Sequence, residues 1–308
     1  MNQEVLVIGG AGYIGSVLVP LLLAKGHNVA VLDSFKAGHG LGQCCRYREF
    51  TPIKCDVRDK VELADIVSRY DVVFALAAIV GGPACATNPK DAKAVNTSGI
   101  YQLVESLEKH QKLIFPNTDA GYDPYDKERE ACNEDVSITC NTVYTESKMA
   151  AEQEVLYFGG VSIRLGSAFG VSPKMRDDAL LNWLVKEAVT KNHVEYYEPE
   201  SLRGFIHVRS VAQSFCMVME QYEKMQGEAF NYSLPGITKQ ALVQMIVEQT
   251  GASADIVDGE DPESRDYSLD CSKIFKAAGI NPRYSVSLRE GIEELVKYYR
   301  MGKGNDLL

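Results

Sequence analysis

Tyr144-Thr145-Glu146-Ser147-Lys148 places a phenol and an ammonium four residues apart, which puts both on one face of a helix. A nearby cation favours the phenolate and draws a phenol from its usual pKa of about 10 toward working pH. Tyr144 is then a usable acid or base at an alcohol oxygen. Thr118 ends the run Leu113-Ile114-Phe115-Pro116-Asn117-Thr118 and offers a hydroxyl to bridge Tyr144 and a substrate oxygen. Taken singly, the Tyr-x-x-x-Lys pair also fits a surface helix, and Thr118 fits an ordinary turn. Their weight comes from where they stand in the chain.

A second group lies at the start. Gly9-Gly10-Ala11-Gly12-Tyr13-Ile14-Gly15 follows the apolar run Val5–Ile8 and opens a helix. Its Gly-x-x-Gly-x-x-Gly spacing departs from the commoner G-x-G-x-x-G, but the physical need is the same. A tight turn needs permissive φ, a backbone approaching a pyrophosphate must carry no Cβ, and helix and strand must pack closely. The helix N-terminus adds free N–H groups and positive potential for phosphates. Asp33 ends the next apolar run 18 residues after Gly15, close to the offset of about 20 for an acid on the adenosine ribose. A carboxylate there repels a 2′-phosphate and favours NAD over NADP, with Lys36 nearby as a counterweight. Asp56, after the third apolar run, fits either a contact to the adenine amino group or a helix N-cap.

The elements that must position these groups are legible as alternation. The apolar run Val5–Ile8 reads as a strand buried on both faces, and Val29–Leu32, Phe50–Cys55, Asp71–Leu76, Lys112–Pro116 and Val161–Leu165 read as further strands. Helical patterns stand between them at Ser16–Gly26 (with a local kink or a tilt expected at Pro20), Asp59–Arg69, Pro89–His110 and Thr142–Phe158. This rhythm predicts an α/β fold, a Rossmann-type doubly wound parallel sheet with right-handed crossovers. After about residue 170 it breaks, with short strands near 194–197, 205–208 and 229–232 and helices near 177–191, 209–222, 238–250 and 287–300. The expected organisation is a dinucleotide-binding domain over 1–170 and a smaller α/β C-terminal substrate lobe over 171–308, part of which returns to the first.

With these residues in view, the chain resembles the extended short-chain dehydrogenase/reductase family, the NAD-dependent epimerase/dehydratase group that acts on nucleotide sugars. The likeness covers nearly the whole chain. It rests on Gly9, Gly12, Gly15, Asp33, Thr118, Tyr144 and Lys148. It extends to Ala75-Leu76-Ala77-Ala78 (where the family usually has His-Leu-Ala-Ala), Asn96, Arg164, Arg203-Gly204-Phe205-Ile206-His207-Val208, Arg265-Asp266-Tyr267 and Gly279-Ile280-Asn281-Pro282. The resemblance implies NAD over Gly9, Gly12, Tyr13, Ile14, Gly15, Asp33, Ser34, Asp56, Val57, Leu76, Ala77, Ala78, Asn96, Tyr144 and Lys148. It implies hydride transfer at a sugar carbon, commonly C4, and a nucleotide diphosphate held by Arg203 and Arg265. Arg176 and Lys174 are lesser partners, and Thr118 and Asp119 stand on the sugar side. Guanidinium forks suit phosphate oxygens, although each arginine also fits a surface ion pair.

Departures narrow the chemistry. Dehydratases of this family carry Thr-Asp-Glu or Thr-Ser-Glu at the fifth strand, where the Glu helps eliminate water. Here the run is Thr118-Asp119-Ala120, and alanine cannot move a proton. Pro116-Asn117 replaces the usual paired serines, and Ser210 stands where an Asp often follows the Arg-x-Phe-Ile-His-Val run. Ile79–Cys85, Pro116-Asn117-Thr118, Gly170–Arg176 and Gly259-Glu260-Asp261-Pro262 resemble a subgroup linked to bacterial surface polysaccharide that includes GDP-manno-heptose 4-dehydrogenases. The reading is therefore an NAD-dependent 4-dehydrogenase or 4-epimerase of a nucleotide sugar. A 4-ketoreductase and a non-catalytic dinucleotide sensor are the alternatives.

Composition excludes other classes. The 308 residues are 45% hydrophobic and 24% charged, ordinary for a globular chain and unlike a disordered one. A net charge of −10 with no basic block argues against nucleic acid or an anionic membrane as main partner. No basic n-region or long apolar run opens the chain, so a cytoplasmic location is expected. Eight cysteines and five histidines form no Cys-x-x-Cys or other ligand spacing, so no metal is expected and the thiols are expected to be reduced. Apolar stripes on the two long helices, 89–110 and 142–158, leave a second face that suits a twofold mate, and a homodimer or larger homo-oligomer is expected.

Overall fold

Successive residues of a strand face opposite ways, so a strand with helices on both sides must be apolar at every position. Residues Val5 to Ile8 meet that demand, and all four are buried. The computed structural model describes residues 2–122, 131–259 and 265–303. Its chain begins with β1 (Glu4–Ile8), α1 (Gly15–Ala24), β2 (Asn28–Asp33), β3 (Phe50–Lys54), α2 (Lys60–Val67) and β4 (Val72–Ala75). Two short helices, α3 (Gly82–Thr87) and α4 (Pro89–Lys93), lead through a π turn at Ala94–Ser98 into α5 (Gly99–Ser106). Then come β5 (Lys112–Thr118), α6 (Val143–Phe158), β6 (Val161–Leu165), β7 (Ser167–Phe169), α7 (Leu180–Lys191), β8 (His193–Tyr196), β9 (Leu202–Arg203) and β10 (Phe205–His207). The chain closes with α8 (Val208–Glu220), β11 (Ala229–Tyr232), β12 (Ile237–Thr238), α9 (Lys239–Thr250), β13 (Ser253–Ile256), α10 (Ser272–Ala278) and α11 (Leu288–Lys303).

Seven strands form one parallel sheet in the order β11-β6-β5-β4-β1-β2-β3. The doubly wound sheet expected from the alternation is present. Its strand order reverses at β1, between β4 and β2, and the crevice beyond such a reversal is where these sheets bind ligands. Val5 and Val7 pack toward α1 and α8 with Leu18, Leu22 and Phe215, while Leu6 and Ile8 pack toward α2, α5 and α6 with Leu63, Leu103 and Val155. The alternating strand positions thus divide between two cores. Residues 229–232 add the seventh strand beside β6. The other late strands pair in twos, β10 with β7, β12 with β9 and β13 with β8.

Three local features differ from the pattern of the sequence. The helix expected over 89–110 widens to a π turn around Asn96 and stops at Ser106. Leu107 is extended (φ −83°, ψ 145°), and the Gln111 side chain gathers the following bend by accepting the Glu108 amide and donating to the Val67 and Tyr70 carbonyls. Helix α1 holds Pro20 in its interior, where proline is normally excluded by the lost amide donor. Pro116 lies inside a central strand, a position that normally lacks Pro because a ladder bond is lost. Here β4 pairs only Lys112–Ile114, so Pro116 sits where the ladder on that side has ended.

Candidate active site

A cavity of about 1140 Å³ opens at the C-terminal ends of the central strands. Gly9, Gly12, Tyr13, Ile14 and Gly15 line it from the β1–α1 loop, Asp33 and Ser34 from the end of β2, and Asp56 and Val57 from beyond β3. Leu76, Ala77 and Ala78 follow β4, Thr118 ends β5, and Tyr144 and Lys148 come from α6. Arg176, Arg203 and Arg265 close the other side.

The glycine loop fits a dinucleotide on its own geometry. Gly9 has φ +78°, and a Cβ there would lie 2.5 Å from the Ala77 backbone nitrogen. A Cβ at Gly15 would meet the Gly10 backbone at 2.5 Å. Gly12 is different: the nearest protein atom to its Cβ position is the Gly9 carbonyl at 3.3 Å. A side chain at Gly12 would fill cavity rather than collide with protein, as expected where backbone must approach a phosphate. The Asp33 carboxylate accepts the Ala11 amide (3.1 Å) and the Phe35 amide (2.9 Å), one on each oxygen, which fixes it with lone pairs left for a ribose diol. Asp56 is committed to Arg58 (2.7 Å) and Lys36 (3.2 Å). The Arg58 hydrogen bonds hold its carboxyl well below the usual carboxylate range. Lys36 is thereby turned toward Asp56. These residues fit NAD, whose adenosine Asp33 would hold and whose pyrophosphate the Gly9–Gly15 loop would cradle.

The reacting wall is set by α6. Thr142 caps this helix: its hydroxyl accepts the Thr145 amide (3.1 Å) while Thr145 Oγ1 accepts the Thr142 amide (3.1 Å), a reciprocal box that fixes the first turn and half-buried Tyr144 within it. Lys148, one turn on, is buried and donates from Nζ to the Pro116 carbonyl at 2.7 Å, 3.7 Å from the Phe115 ring centroid. Burial pushes its pKa down to about 7, with the Glu152 carboxylate pulling the other way. Thr118 Oγ1 accepts the Ala120 amide at 3.1 Å, so the hydroxyl proton remains to be donated.

On the facing wall, Arg203 Nε donates to Ser167 Oγ at 2.9 Å, and Arg265 reaches the same oxygen at 3.3 Å while pairing with Asp119. Two buried guanidinium groups meeting at one serine beside the cavity suit a diphosphate. Arg176 forms a two-point pair with Asp178 (3.2 and 2.6 Å). The segment from Gly170 to Arg176 is tied across the loop side. Tyr13 Oη donates to the Gly170 carbonyl (2.7 Å), Ser172 Oγ to the Tyr13 carbonyl (2.8 Å), and Lys174 Nζ to the Ala37 carbonyl.

Two residues expected at the site stand off the cavity. Asn96 is buried in the π turn and spends its side chain on the Ile79 amide (2.8 Å) and carbonyl (2.9 Å), so it shapes the Ile79 wall rather than facing a cofactor. Asp119 is fully buried against Arg265, and its carbonyl accepts Tyr267 Oη at 2.6 Å. Its reach to a substrate runs through Arg265. Glu260, Asp261 and Pro262 lie outside the described residues. Trp183 and Tyr197 line the cavity without having been singled out in the sequence. The signal was weak, because an aromatic on a late helix or strand reads as core. Among the described residues no group of three or more His, Cys, Asp or Glu is placed to hold a metal, and no helix is long and apolar enough to cross a membrane.

Comparison with known proteins agrees with this fold. A UDP-N-acetyl-alpha-D-glucosaminuronate decarboxylase of Bacillus cytotoxicus is 24% identical over 97% of this chain and 98% of its own. The crystal structure of UDP-glucose 4-epimerase from Thermotoga maritima with UDP-glucose superposes with a TM-score of 0.86 at 25% identity, covering 98% of this chain and 100% of that one. The UDP-glucose 4-epimerase of Thermus thermophilus, solved in complex with NAD, gives a TM-score of 0.80 at 25% identity over 96% and 98% of the two chains. The model of the NAD dependent epimerase/dehydratase family matches residues 5–232, and the chain, with its Rossmann-type sheet and dinucleotide loop, belongs to that NAD-dependent family.

Proposed function

We propose that the protein oxidises the C4 hydroxyl of a nucleotide-diphosphate sugar, as a 4-dehydrogenase or as the first half of a 4-epimerase. The observation that carries this reading is the meeting of Tyr144, Lys148 and Thr118 in one cavity with the glycine loop and two buried arginines. Tyr144 Oη takes the hydroxyl proton, the Lys148 ammonium stabilises the phenolate, and the Thr118 hydroxyl donates to the sugar oxygen and holds it in line. Arg203 and Arg265 anchor the diphosphate, which places the sugar end toward Tyr144. When bound, NAD supplies the acceptor for the hydride. Dehydration is disfavoured because Ala120 has no carboxyl group and Asp119 is occupied by Arg265. A homodimer is part of the proposal.

The test is incubation with UDP-, GDP-, CDP- and dTDP-sugars, uronates included, followed by NADH absorbance and product mass. Loss of two hydrogens with NADH formation marks a dehydrogenase. Unchanged mass with inverted C4 marks an epimerase. Loss of carbon dioxide from a uronate also reports C4 oxidation, because the 4-keto uronate formed by that oxidation is a β-keto acid, which releases its carboxylate as carbon dioxide. Loss of water overturns the argument from Ala120, and absence of any turnover leaves the dinucleotide sensor as the better account.

A further inference from the structure

Behind the reacting wall, one side chain joins β5 to α6. Asn117 is buried, donates from Nδ2 to Glu152 Oε2 at 2.7 Å, and accepts the Thr118 amide on Oδ1 at 2.8 Å. Glu152 is held in turn by Ser162 Oγ (2.6 Å) and by the Arg164 guanidinium (2.6 Å), and Arg164 also donates to Tyr122 Oη (2.8 Å). Tyr144, Lys148 and Glu152 lie at i, i+4 and i+8, so one face of α6 meets the end of β5. Lys148 takes the carbonyl of Pro116, and Glu152 takes the side chain of Asn117.

We propose that Asn117 is a positioning residue for the reaction: it carries the fixed geometry of the buried Glu152–Arg164 pair to the Thr118 backbone and so aims the Thr118 hydroxyl beside Tyr144. An amide suits the task because it offers a donor to a carboxylate at one atom and an acceptor to an N–H at the other. Aspartate would set an acceptor against Glu152, and alanine would leave both partners unmatched. Thr118 Oγ1 already accepts the Ala120 amide, so turning its backbone moves the one proton it has to give. The proposal rests on the oxidation at Tyr144 put forward above.

The experiment compares wild type with Asn117→Ala, Asn117→Asp and the double variant Asn117→Asp/Glu152→Gln. The double variant exchanges donor and acceptor while keeping one negative charge near Arg164. Steady-state kinetics on the sugar found in the panel, NAD affinity by calorimetry and amide hydrogen exchange are read together. Misplacement of a reacting group is expected to lower kcat about tenfold or more in Asn117→Ala and Asn117→Asp, with KM and NAD affinity within about twofold. The double variant is expected to recover to within about threefold of wild type. Exchange at the Thr118 amide should quicken about tenfold while Leu113–Phe115 stay protected. A folded Asn117→Ala with unchanged kcat, a loss matched by equal loss of NAD affinity, or a double variant with no recovery overturns the proposal. If Asn117→Ala fails to fold, Asn117→Ser is read in its place against the same limits. Should wild type turn over no nucleotide sugar, the functional reading falls, and unchanged Thr118 exchange in the variant then overturns this proposal independently.

Discussion

Below about pH 7 Lys148 carries a charge where charge is unfavourable. Its ammonium is removed from water and compensated by one carbonyl, one ring face and the field of Glu152. Its folded pKa of about 7 lies below that of an unfolded lysine, about 10.4, so between those values the unfolded chain binds more protons. Stability therefore rises with pH across that window, and the destabilisation is fully present below about pH 7. Lys148→Met should raise stability by about 1–3 kcal/mol at pH 6 and by less at pH 9, as measured by urea denaturation, while abolishing turnover. Tyr144→Phe removes the proton acceptor and should cut kcat about 10²–10⁴-fold with little change in NAD affinity, measured by single-turnover absorbance and calorimetry. The two residues could be picked out in the sequence because helical spacing puts a phenol and an amine on one face and the pair follows the fifth strand of a dinucleotide-type sheet, and both line the cavity. Asn96 and Asp119 illustrate the opposite case. Motif position puts both near the site, but side-chain direction is set by a π turn in one and by Arg265, 146 positions away, in the other.

Elements were readable where burial leaves little choice. The strands buried on both faces announce themselves as apolar runs, and the capped start of α6 carries its threonines in plain view. What composition conceals is how a strand stops pairing. Pro116 looks disruptive until the end of β4 is seen to release one side of β5 at Ile114, and the Pro116 carbonyl then becomes the seat of Lys148. The β1–α1 loop gives a contrast of the same kind. Gly9→Ala forces a Cβ onto the Ala77 backbone at positive φ and should destabilise the fold by about 1–3 kcal/mol in thermal unfolding. Gly12→Ala meets only the Gly9 carbonyl, so it should change stability by under about 1 kcal/mol yet weaken NAD binding about tenfold or more in calorimetry. Similar losses of stability from both variants would contradict the assignment of the Gly12 side of the loop to phosphate.

For the whole molecule, alternation along the first 165 residues sufficed to foresee the parallel sheet, whereas the later pairs depend on contacts between distant segments that periodicity does not encode. The packing also leaves Tyr157 of α6 92% exposed and Tyr101 of α5 39% exposed, on helices whose other faces meet the sheet. A large apolar ring so exposed suits burial against a second copy. Sedimentation should give a dimer at micromolar concentration, and Tyr157→Glu should shift it toward monomer with secondary structure intact. A wild-type monomer under those conditions would contradict the expected assembly.

The bridge from Lys174 to the Ala37 carbonyl, backed by Ser172 on Tyr13, joins two segments that both line the cavity. If a dinucleotide has to part these segments in order to leave, it becomes a tenant: part of the protein is then expected to leave the purification column carrying its coenzyme, seen as excess absorbance at 260 nm. Lys174→Ala should leave the column empty. Such long tenancy suits a catalyst that hands its hydride back in the same cycle, and it would make departure of the reduced coenzyme the slow event for one that does not.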